Sequence, residues 1–270
     1  MINRTTMKVF TLTTICSFLL SLTLSAQLLR PVITIVDDPS PANISHITSD
    51  GKFYYTCTGG TTKNKDKTGY KITKYNAMTG EKVKSYPFKL FNMRSIMYNS
   101  KDKNLYFATY DMKIYKIIDL ETGMAQQCLF NGKETIYKNP RSSPALDPNG
   151  KILYVLDNGT LTLYDFKNGS VKNTFSGLSF GPDGTDDPIV GKYGSTAVAV
   201  GKKYIYTWDG HSKQKKIYAY DKKTGKLVNT YQISSGNWGW SLSFANGFVF
   251  VSVNQPNSVG MWNGYKLGDD

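Results

Sequence analysis

Histidine and cysteine are nearly missing from this sequence. In 270 residues the only histidines are His46 and His211, and the cysteines are Cys16, Cys57 and Cys128. That scarcity excludes whole classes of chemistry. No Cys-x-x-Cys pair or His cluster offers a zinc or haem site, and a serine nucleophile could draw on at most two imidazoles for its general base. No phosphate-cradling glycine loop occurs, and no helical periodicity is sustained beyond the first two dozen residues. Acidic residues are the minority, 20 Asp and Glu against 33 Lys and Arg, for a net charge of +13.

The one long apolar run stands at the start. "MINRTTMKVFTLTTICSFLLSLTLSAQ" places Arg4 and Lys8 before a stretch reaching Leu24, then small Ser25 and Ala26. That order predicts a secretory signal peptide over residues 1–26, cleaved after Ala26, with 27–270 as the mature domain. The stretch is short for a membrane span and no second one follows, so no transmembrane segment is expected after cleavage. Removing Arg4 and Lys8 lowers the net charge from +13 to +11. The leader predicts a secreted, periplasmic or cell-surface setting, and two remaining cysteines, too few for a disulfide scaffold, point to a bacterial one. Much of the positive excess is lysine in turns such as "TTKNKDKTGYK" (61–71). An exported basic protein meets anionic polysaccharide or lipid before it meets DNA, so no nucleic-acid partner is expected; a solvated surface explains the lysines equally well.

The rest of the chain repeats itself. "YNAMTGEK" (75–82), "IDLETGMA" (118–125), "YDFKNGSV" (164–171) and "YDKKTGKL" (220–227) are four versions of one turn, with glycines spaced 43, 46 and 56 residues apart. A period in the forties with strand-rich units is the signature of a propeller array. Runs of aromatic and β-branched residues alternate with polar ones between Gly, Asn and Asp turns. Five units fit, which predicts an all-β propeller of five four-stranded blades. The fifth unit lacks an outer strand, and "PVITIV" (31–36) is an orphan strand; pairing the two would close the ring. A sixth blade supplied by a partner is the alternative, and a closed ring is expected to be a monomer. In each turn the Asp or Asn folds back onto the amides ahead of it while the Gly takes a positive φ.

The run "AYDKKTG" (219–225) resembles the A-x-D-x-x-T-G core of pyrroloquinoline-quinone-type propeller repeats, and the mature chain resembles that superfamily and its YVTN-type relatives. The family's docking Trp, four residues after the Gly, is replaced by Lys84, Gln127, Asn173 and Asn229; an apolar residue comes two places later, at Tyr86, Leu129, Phe175 and Tyr231. The resemblance thus implies the fold and gives no support to a quinone cofactor. "YTWDGH" (206–211) contains Trp-Asp, yet the Gly-His pair follows that dipeptide instead of preceding it by a few dozen residues as in WD repeats.

Function is expected away from the repeated turns, where blade-to-blade connections and the turns from second to third strand share one face with the longest loops. A serine recurs where each inner strand starts (Ser45, Ser95, Ser142, Ser195 and Ser241), read as strand-start hydrogen bonders. Arg94 and Arg141 precede two of them. They form either a fork for carboxylate, phosphate or sulfate, or pairs with neighbouring carboxylates. Trp238 and Trp240, in the flexible "GNWGW", and Trp208 are candidate stacking faces for a sugar. Asp183, Asp186 and Asp187 in "GPDGTDDP" suit calcium or an ordinary polar loop. Inner strands lack the paired carboxylates that glycoside cleavage needs. The sequence therefore predicts no catalytic residue and no cofactor beyond a candidate calcium ion. It predicts a binding module for an anionic small molecule, glycan or surface protein, with a calcium-dependent, lactonase-like hydrolase as the alternative.

Overall fold

A computed structural model describes residues 28–37, 43–59, 70–157, 159–178, 196–209, 215–235, 241–253 and 260–268. The predicted leader, Ser195, His211, Trp238, Trp240 and the Asp183, Asp186 and Asp187 loop lie outside them. Among the described residues there is no helix, and twenty strands form five four-stranded antiparallel sheets.

Blade 1 is β2 (Asn43–Ser49), β3 (Phe53–Gly59), β4 (Lys71–Asn76) and β5 (Lys82–Pro87); blade 2 is β6 (Met93–Asn99), β7 (Asn104–Thr109), β8 (Ile114–Asp119) and β9 (Met124–Gln127). Blade 3 is β10 (Ala145–Leu146), β11 (Ile152–Asp157), β12 (Thr160–Asp165) and β13 (Val171–Ser176); blade 4 is β14 (Ala199–Val200), β15 (Tyr204–Asp209), β16 (Lys216–Asp221) and β17 (Leu227–Gln232). Blade 5 is β18 (Leu242–Ala245), β19 (Phe248–Val253), β20 (Met261–Tyr265) and, as its outer strand, β1 (Ile33–Val36). The orphan strand thus closes the ring, running antiparallel to β20 from Ile33 opposite Gly264 to Val36 opposite Met261.

Five wedges of side chains hold the blades together. The second strands contribute Tyr55, Tyr106, Tyr154, Tyr206 and Phe250, none more than 7% exposed. Each ring packs against the following blade: Tyr55 with Phe107, Tyr106 with Leu153, Tyr154 with Ile205, Tyr206 with Val249, Phe250 with Tyr54. Period-2 alternation puts these residues on one face of the strand, and burying each ring contributes about 2–3 kcal/mol. After β1 the chain is latched to blade 1. The Asp37 carboxylate, 2% exposed, accepts from Lys71 Nζ at 3.1 Å and the Thr56 hydroxyl at 3.3 Å.

The repeated turn joins third to fourth strands as the sequence predicts. Asp221 Oδ1 accepts the Thr224 hydroxyl and amide, both at 2.8 Å, and the Lys223 amide at 3.1 Å, holding its carboxyl below the usual value. Gly225 takes φ +67°. Its missing Cβ also matters, because one built there would lie 2.5 Å from Phe175 Cδ1, on the outer strand of blade 3. In blade 3 the apolar residue two places beyond the family's Trp position, Phe175, therefore docks on the next blade's turn, and in blade 1 the Pro87 carbonyl meets Gly123. Blade 2 departs by one residue. Phe130 meets Gly169, while Leu129 is 59% exposed.

Candidate functional site

The inner strands are edge strands of their sheets, and those of blades 3 and 4 meet in a parallel bridge, the Ser143 amide donating to the Thr196 carbonyl at 2.8 Å. Side chains of one blade cover the next. Thr48 Oγ1 accepts from the Tyr98 amide at 3.1 Å, and Ser243 Oγ from the Ile47 amide at 3.2 Å. His46 Nδ1 lies 2.9 Å from the Ile96 carbonyl, so that nitrogen carries the proton. Burial drives the imidazole pKa down from 6.5 to about 4, against the pull of that carbonyl. His46 is thus a neutral core residue beside the buried Cys57 thiol; Cys128 is half-buried, and both cysteines are free.

The serine series is only partly a register. A bulge between Ile44 and His46 makes Ser45 the extra residue of β2, and one between Met93 and Ser95 does the same for Arg94 in β6. Ser45 therefore stands level with Arg94, and His46 with Ser95. Ser142 donates to the Leu156 carbonyl at 2.7 Å as expected. The hydroxyls of Ser95 and Ser241 are buried with no hydrogen-bond partner among the described residues, which corrects their reading as strand-start hydrogen bonders.

Bulges re-aim side chains, and Arg94 is the consequence. It is 5% exposed, and its guanidinium carbon sits 4.8 Å from the Tyr110 ring centroid. Burial lowers its pKa, Tyr110, Tyr137 and Tyr70 pull the other way, and the charge of Arg141 lowers it again. The charge of Arg141 is thus felt at Arg94, although the two arginines are not in matching register. Arg141 lies in the connection ahead of β10, its amide bonded to Asn139 Oδ1 at 2.9 Å. Tyr70, Tyr110 and Tyr137 come from the ends of loops on the same face. Tyr137 is 5% exposed and its hydroxyl has no hydrogen-bond partner among the described residues; burial raises its pKa, as does the Asp111 carboxylate, while Arg94 lowers it. The tyrosines escaped the sequence reading because the strand pattern presents aromatics everywhere.

Trp208 is not part of this cluster. At 1% exposure its ring is enclosed between blades 4 and 5, with no face free for stacking. The remaining carboxylates near the strand ends serve local structure. Asp157 accepts from Asn139 Nδ2 at 2.7 Å, Asp111 from the Thr109 hydroxyl, and Asp147 from the Lys151 and Ile152 amides at 2.7 and 3.0 Å. Among the described residues no three His, Cys, Asp or Glu side chains are grouped to hold a metal ion. At the other end of the channel a cavity of about 260 Å³ is walled by residues of all five blades, including Asp50, Tyr98, Pro148, Val200 and Asn246.

No family model matches this chain. No curated protein matches it either. Among solved structures it is similar to one described as "Crystal structure of RRP9 WD40 repeats", at 11% identity and a TM-score of 0.46 over 88% of this chain and all of that one. A second, "Structure of U3-55K", gives 12% identity and a TM-score of 0.45 over 85% of this chain and 98% of that one. At such values nothing is carried over from either, and the five-bladed ring rests on the strand pairing of this chain itself.

Proposed function

We propose that this chain is an exported, non-enzymatic recognition module whose long-loop face holds an anionic group of a small molecule, a glycan or a surface protein at Arg94 and Arg141. One observation carries the reading. Arg94 is drawn out of water, at 5% exposure, and the charge of Arg141 adds to burial in lowering its pKa. An anionic group brought to a guanidinium held out of water favours its charged form. Planar guanidinium groups match carboxylate and sulfate geometry bidentately, and the Tyr110 face beneath Arg94 fixes its plane.

The test is thermal melting in acetate and in sulfate against chloride at constant ionic strength. A ligand bound only by the native state raises the melting temperature. The gain is expected in the native sequence and is lost in Arg141→Gln and in Arg94→Ala plus Arg141→Ala. An equal gain in all three proteins removes the arginines from the site.

A further inference from the structure

Blade 3 carries a groove in which neither Arg94 nor Arg141 takes part. Antiparallel pairing sets Val155 opposite Thr162 and Asp157 opposite Thr160, and Tyr164 stands two residues beyond Thr162, so these five side chains share one face of the blade. Residues 136–139, in the connection from blade 2, line the other side. The space is about 320 Å³, at the small end of the range for ligand pockets, which suits one ring better than an extended chain.

The lining decides what kind of ring. Its only charged groups are Asp157 and the exposed Lys138, which leaves it without net charge. The hydroxyls of Thr160, Thr162 and Tyr164 each donate and accept, and Val155, Ile136 and the Tyr164 ring add apolar surface. Asp157 is set to accept. Asn139 Nδ2 donates to its Oδ1 at 2.7 Å while Asn139 Oδ1 takes the Arg141 amide at 2.9 Å, so the Asn139 amide is engaged at both ends and holds the carboxylate in place. Asp157 Oδ2 and the Thr160 hydroxyl have no hydrogen-bond partner among the described residues. An apolar ligand would strip water from Asp157 and the three hydroxyls without replacing it. We infer that this groove binds a neutral pyranose, one sugar unit of a glycan. Ring hydroxyls donate to Asp157 Oδ2 and exchange hydrogen bonds with Thr160 and Thr162, and the carbon face of the ring lies on Tyr164.

Ligand-observed NMR titration tests this with the neutral methyl glycosides of glucose, galactose, mannose and N-acetylglucosamine. Glycerol serves as a hydroxylated probe without a ring, and methyl glucosaminide as a cationic one. At least one neutral glycoside is expected to bind about tenfold more tightly than glycerol. Asp157→Asn should weaken that glycoside about tenfold, and Thr162→Val, close in shape to the native residue, severalfold. If no glycoside binds, or if neither variant changes the binding, the sugar site is overturned. It is overturned equally if methyl glucosaminide binds more tightly than every neutral glycoside and loses that binding in Asp157→Asn, which makes the groove a cation site. None of these outcomes bears on the anion site, whose readout is arginine-dependent melting in acetate and sulfate.

Discussion

Gly225 permits a quantitative test of how the blades are joined. Replacing it with alanine does two separable things. A side chain at φ +67° costs about 1–2 kcal/mol for backbone reasons alone. A Cβ 2.5 Å from Phe175 Cδ1 and 2.8 Å from its Cγ forces that ring to move, which adds about 1–3 kcal/mol of overpacking. Gly80 is the internal control, with φ +73° in the same turn of blade 1 and nothing within 4 Å of its Cβ position. Gly80→Ala should therefore cost about 1–2 kcal/mol and Gly225→Ala about 2–5 kcal/mol. The assay is urea unfolding followed by tryptophan fluorescence and circular dichroism, whose coincidence licenses the free energies. A third variant closes the cycle. In a Phe175→Ala background Gly225→Ala should cost no more than Gly80→Ala, because the ring it strikes is gone. Equal losses at the two glycines, or an undiminished loss without Phe175, would refute the docking of one blade's outer strand on the next blade's turn.

His46 predicts a pH dependence with a definite sign. Its pKa falls from 6.5 unfolded to about 4 folded, so between those values the unfolded chain binds more protons and stability rises with pH. Going from pH 7 to pH 4 should cost about 3 kcal/mol that His46→Gln does not lose, measured as the difference between their unfolding curves. Asp37→Asn leaves Lys71 facing a neutral partner beside the closing strand and should cost about 3–5 kcal/mol by the same urea assay. Deleting residues 27–36 removes Ile35, which is fully buried, together with the pairing to β20, and should lower the melting temperature sharply; unchanged stability would mean that ring closure contributes nothing. Calcium should raise the melting temperature, and chelator lower it, only if Asp183, Asp186 and Asp187 hold the ion; no shift counts against the hydrolase reading.

The architecture was legible because its signals are local and repeated. Asn76, Asp119, Asp165 and Asp221 with their glycines mark the third-to-fourth strand turns of blades 1 to 4, and "PVITIV" reads as a strand lacking a partner. What escaped was non-local. Nothing in "NMRSIMYN" announces that Arg94 is a bulge residue, since a bulge is defined by the partner strand, here Thr109 and Ala108. Trp208 offers the same lesson. A tryptophan in an alternating strand is exposed or enclosed according to which blade packs against it, and blade 5 lies several dozen residues further on. The inner strands of blades 3 and 4 shrink to two residues each, and in blade 3 Pro144 removes the donor just before the ladder begins.

The pairing of β1 with β20 also sets a clock. Its partners lie about 230 residues apart, so the earliest strand of the ring to leave the ribosome waits for the latest. Bringing such distant segments together costs about 5 kcal/mol of chain entropy. Until they meet, blade 5 presents a bare edge and blade 1 lacks the Asp37 latch. Four blades can form in order of synthesis, but the ring locks in one late step, and that interval is when a protease or another copy of the chain finds an edge to attack.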